Sequence, residues 1–163
     1  MADVAEAAKI SRATLYGRFR DKAALFDGLA QGLVANALLK CREAWSDKRS
    51  FEANLEAALL AKDLPLHGLK HSPYGGDVLT ANADSVRQYG DILDAGFVEI
   101  VTERARAEEA RGVRFEAFGG INAFATFVSQ AATGLKDTIR DERSYCDAVR
   151  QLATVCATAL RAR

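Results

Sequence analysis

The chain has 163 residues, about half of them apolar, and 22 basic side chains balance 22 acidic ones. Zero net charge excludes a protein coated in nucleic acid but allows a small basic reading head on a neutral body. No run approaches the roughly 18 consecutive apolar residues of a membrane span, and Met1 to Glu6 lacks the basic-then-apolar order of a signal peptide, so a cytoplasmic, non-membrane protein is expected. The start is the basic part: residues 1–22 hold five Lys or Arg (Lys9, Arg12, Arg18, Arg20, Lys22) against three Asp or Glu.

In chain order, residues 2–9 form a short helix with Val4, Ala5, Ala7 and Ala8 on its small apolar faces. Ile10 and Ser11 interrupt it. Ser11 is a suitable N-cap for a second short helix, Arg12 to Phe19, and Asp21 for a third. Leu25, Leu29 and Leu33 recur at helical spacing in that third helix, which runs to about Trp45, weakened by about 1 kcal/mol at each of Gly28 and Gly32. After a polar break, Phe51, Leu55 and Leu59 mark a helix over 51–61. The span Asp63 to Asp77 holds both prolines, both histidines and three glycines, and reads as irregular. Helix resumes near Val78 and is strongest over 86–111, with Gly112 as its stop. Two amphipathic helices close the chain, over 115–135 and 144–162.

The three cysteines, Cys41, Cys146 and Cys156, have no metal-ligand or disulfide spacing and read as thiols in a reducing compartment. Phosphate loops, zinc-protease motifs and nucleophile elbows are missing, so neither an enzyme nor a cofactor is expected. His67 and His71 have the spacing of a metal-binding pair, but Pro65, Gly68 and Pro73 argue against a regular helix there.

Residues 2–22 carry the grammar of a helix-turn-helix. On the second short helix, Leu15 and Phe19 lie at i, i+4 and face inward. Arg12, Ala13, Tyr16 and Gly17 then fall opposite, flanked by Thr14 and Arg18, a face suited to base edges and phosphates. The ordered run from Val4 to Phe26, with Ser11-Arg12-Ala13-Thr14-Leu15-Tyr16 at its centre, then Phe19, Asp21 and Lys22 before a hydrophobic pair, resembles the DNA-binding signature of the TetR family of transcriptional regulators. The resemblance implies an all-α fold, a helix-turn-helix module followed by a TetR-like C-terminal helical bundle. It implies that the helix from Arg12 reads a palindromic double-stranded DNA operator, with Ser11, Arg12, Ala13, Thr14, Tyr16, Arg18 and Lys22 at the DNA. It also implies homodimerisation through the last two helices and regulation, as a repressor, by a small-molecule effector.

One departure is Lys9, where the family usually has glycine; a left-handed backbone there costs lysine about 1 kcal/mol. The other is the start. The family places a further helix ahead of this segment, so the expectation is a chain N-terminally truncated by that helix, binding DNA poorly as written. A ligand-binding or scaffold dimer that has lost DNA binding is then the alternative. Residues 1–45 are assigned to the partial DNA-binding domain and its linking helix, and 46–163 to the ligand-binding and dimerisation domain. Large or polar-tipped groups of the middle helices are the candidate ligand contacts: Trp45, His67, His71, Tyr74, Tyr89, Phe97 and Phe124.

Overall fold

The computed structural model describes residues 1–73 and 75–161, and every regular element among them is helical. Two short helices, α1 (Ala2–Ala7) and α2 (Arg12–Arg18), lead into the long α3 (Lys22–Glu43). Then come α4 (Phe51–Lys70), α5 (Gly75–Ala81), α6 (Ala83–Ala110), α7 (Ile121–Thr138) and α8 (Glu142–Arg161).

Local chemistry sets the starts of four helices. Ser11, Asp21, Ser50 and Asp141 each accept from the backbone N–H three residues on, at 3.0, 2.8, 3.1 and 2.7 Å. Each bond satisfies a donor that helix geometry leaves without an intrahelical acceptor. The turn between α1 and α2 needs a left-handed residue. Lys9 supplies it at φ 54°, while its N–H reaches the Glu6 carbonyl and the Ile10 N–H reaches that of Ala5. This is a Schellman cap with lysine where glycine is the low-strain choice.

The body is a bundle in which α4 packs against α8 and α3, and α6 lies between α3 and α7. Its core is Cys41 of α3, Leu55 and Leu59 of α4, Phe97, Ile100 and Val101 of α6, Phe124 and Val128 of α7, and Tyr145, Val149 and Cys156 of α8. Phe51, Phe115, Phe118 and Phe124 stack around the near end of α7, with centroids 5.0–6.2 Å apart.

Two stretches differ from the sequence expectation. The helix expected to stop at Ala61 continues through Pro65 and Gly68 to Lys70. Pro65 lies on the exposed side, while Leu59, Lys62, Asp63 and His67 of the same helix are buried. Burial of that face holds the helix together across one missing N–H. The helix expected from Phe115 instead begins at Ile121, after a 3₁₀ turn over Glu116–Phe118. Gly119 at φ 81° and Gly120 at φ 103° turn the chain there, a conformation other residues adopt only under strain.

Candidate nucleic-acid interface and bundle cavity

Leu15 is buried in the small N-terminal module, and Phe19, half-buried, packs on α3. Their partner surface explains a glycine: a Cβ at Gly28 would sit 2.7 Å from the Phe19 ring, so the close approach of the two helices requires its absence. With Leu15 and Phe19 turned inward, Ser11, Arg12, Ala13, Thr14, Tyr16 and Arg18 are all exposed, as is Lys22 in the first turn of α3. Tyr16 is 52% exposed. Ser11 also spends its hydroxyl within the protein, on the Thr14 N–H and, at 2.8 Å, the Thr14 hydroxyl. The two groups form one small polar patch at the head of α2. Arginine forks, a phenol, hydroxyls and a small apolar residue on one exposed face can pair with phosphates and base edges.

Below this module, α3 to α7 surround a cavity of about 560 Å³. Phe26, Leu33 and Val34 of α3, Leu66 of α4, and Val86 and Leu93 of α6 make its wall mainly apolar. Of the residues singled out from sequence as ligand contacts, Tyr89 lines this cavity. Phe97 and Phe124 belong to the close-packed core, and Trp45 packs against that core with its ring 5.6 Å from Phe51. His67 is buried, its Nε2 donating to the Ile139 carbonyl at 2.8 Å and its ring stacked 4.7 Å from Tyr145. His71 is exposed and meets the His67 ring at 4.6 Å, because α4 stays helical that far. With Nε2 of His67 engaged by a carbonyl, the pair serves the packing of α4. Tyr74 lies outside the described residues.

The sequence reading missed a buried ionic network beside the cavity. Lys62 is fully buried and pairs with Asp94 at 2.6 Å and with the equally buried Asp63 at 3.4 Å. Asp63 also receives Lys136 at 3.0 Å, and Lys62 donates to Thr133 at 3.2 Å. Ser129 donates to Asp94 at 3.2 Å. Two lysines and two aspartates are thus tied across α4, α6 and α7 with no excess charge. The signal was present: Lys62 continues the stripe of Leu55 and Leu59 at i, i+4, i+7, where a charge implies a buried partner. Around the network, burial and the Asp63 charge push the Cys41 thiol up to about 12. The same causes raise the Tyr145 phenol, whose hydroxyl has no hydrogen-bond partner among the described residues.

A serine-capped short helix, held by its inner face and presenting a basic, hydroxyl-rich outer face, makes this a helix-turn-helix DNA-binding protein on an all-α bundle. Residues 1–29 match the family model described as bacterial regulatory proteins, tetR family, and this match supports a DNA-binding transcription regulator of that kind. No curated protein and no solved structure matches it. No helix among the described residues is long and apolar enough to cross a membrane.

Proposed function

We propose that this regulator is a cytoplasmic repressor that binds a palindromic operator as a homodimer and responds to a small molecule held in the bundle. Residues 1–45 act as the reading head and linking helix, and residues 46–163 as the effector and dimerisation unit. One observation carries the reading. A single rigid helix, α3, packs by Gly28 against Phe19 of the reading head, and its Phe26, Leu33 and Val34 wall the cavity. A molecule seated against those side chains presses on the element that fixes the orientation of α2. A 2.9 Å bond from Ser85 of α6 to Asp27 of α3 adds a second tie across the same joint. Ligand and DNA then compete through the position of α3.

For the dimer, α7 and α8 offer outward apolar groups, with Phe127 45% and Val155 63% exposed. A second copy covering them would supply the two recognition helices, about 34 Å apart, that a palindromic operator requires.

Selection of bound duplexes from a random library, followed by anisotropy titration, tests the proposal. The expected product is an inverted repeat. Arg12→Ala should weaken binding to it by about 5- to 150-fold, the value of one base contact. Val155→Arg should yield a monomer by sedimentation and lose most operator affinity. Enrichment of no sequence, or an Arg12→Ala protein binding as well as the parent, would overturn the reading.

A further inference from the structure

We propose that the bundle cavity selects a single-chain amphiphile, an apolar tail ending in an anionic head, with the head held by Lys136 and Lys70. The inference rests on the reading of this cavity as the effector site and adds the chemistry of the ligand.

The wall is apolar over most of its extent, but its charged groups are unbalanced. Three cations, Lys70, Arg87 and Lys136, line it against one carboxylate, Asp137. The partners of these cations explain the imbalance. Lys136 pairs with Asp63, which is fully buried and shared with Lys62. Arg87 pairs with Asp84, whose side chain is almost wholly in solvent. Among the described residues, only the Lys70–Asp137 pair, at 2.7 Å, has both members at the cavity.

Lys70 and Lys136 converge on one end, because Asp137 follows Lys136 on α7 and bonds Lys70 on α4. An ammonium has three donors. Each of these two lysines spends one on a carboxylate. That end therefore keeps unspent N–H donors on two ammonium groups beside a largely apolar chamber, where a charge-assisted bond is stronger than in water. Among the described residues, a cationic head would meet no lining carboxylate that is not already paired with a lysine. A neutral hydroxyl head could accept from the same donors, but without the added strength of an ionised acceptor. The volume, about 560 Å³, lies within the range of small-molecule sites.

The test is calorimetric titration of the full chain, without DNA, using decanoate, decyl phosphate, decanol and decyltrimethylammonium below their micelle thresholds. The anions should bind about tenfold or more tighter than decanol, and the cation weakest. The better of the two anions identifies the head as carboxylate or phosphate. Lys70→Met and Lys136→Met together should bring the anions to the level of decanol. Lys70→Met alone, which leaves the buried network whole, should lose part of the preference. Gly90→Leu provides the steric control: no atom lies within 4 Å of a Cβ there, so the side chain enters the cavity it lines while the helix persists. It should weaken all four probes.

Equal binding of decanol and the anions, stronger binding of the cation, no binding by any probe, or an anion titration unchanged by Gly90→Leu would each overturn the proposal. Anion binding that leaves operator affinity unchanged would uphold the ligand class and overturn the regulatory role of the site.

Discussion

Replacing Lys62 by Met keeps the length and most of the volume of the side chain while deleting a buried charge. In the parent, Lys62 neutralises Asp94 at 2.6 Å, shares Asp63 at 3.4 Å and satisfies Thr133 at 3.2 Å. After the change the network holds two carboxylates against Lys136 alone, and Asp63 stays in a site with no solvent access. Breaking a buried pair by removing one partner costs about 3–5 kcal/mol. Asp94 is half-exposed and can recover water, so the lower figure applies, about 3 kcal/mol. With a urea slope of about 2 kcal/mol/M, the unfolding midpoint should fall by about 1.5 M at fixed protein concentration. The double variant Lys62→Met/Asp94→Asn removes the excess negative charge and leaves the Asp63–Lys136 pair neutral. It should regain about 1–2 kcal/mol, a coupling expected of groups in one network. Equal midpoints for parent and Lys62→Met, or a double variant no more stable than the single one, would refute the reasoning.

Three further outcomes follow from local features. Lys9→Gly should stabilise the chain by about 1 kcal/mol, read as a higher denaturation midpoint, because it relieves the left-handed lysine of the α1–α2 turn. Buried Cys41, raised to about 12, and Cys156, raised to about 11, should resist alkylation at pH 8 in the folded protein; half-buried Cys146 should be the first thiol counted by mass. The Ser144 hydroxyl, and after it the Ser144 N–H at 2.7 Å, hold the Asp141 carboxyl below its ordinary value by hydrogen bonding to the charged form. Its contribution to α8 is therefore present above the usual aspartate range and lost as pH falls through the lowered value, and Asp141→Asn should flatten the acid limb of a helicity titration.

The cavity, the core aromatics and the ionic network separate what is local from what is not. The all-helical character, the four side-chain caps and the inward Leu15 are set by neighbours in sequence, through 3.6-residue spacing and hydrogen bonds that span three residues. The outward face of α2 follows from the same periodicity, so its exposed residues could be named from the order Ser11 to Arg18 alone. Even the strain at Lys9 was legible, since a cap needs a left-handed residue whatever packs around it.

Which large side chains line a space and which fill one was not legible. Trp45, Phe97 and Phe124 have the chemistry of ligand contacts, but helix packing placed them in or against the core and brought α3 to the cavity instead. The persistence of α4 through Pro65, and the pairing of Lys62 and Asp63 with Asp94 and Lys136, depend on α6 and α7 arriving from elsewhere in the chain. The sequence by itself determined the helices and the reading face, because those rest on interactions within one or two turns. The tertiary structure alone decided the cavity and its charge, because burial is a property of several helices at once.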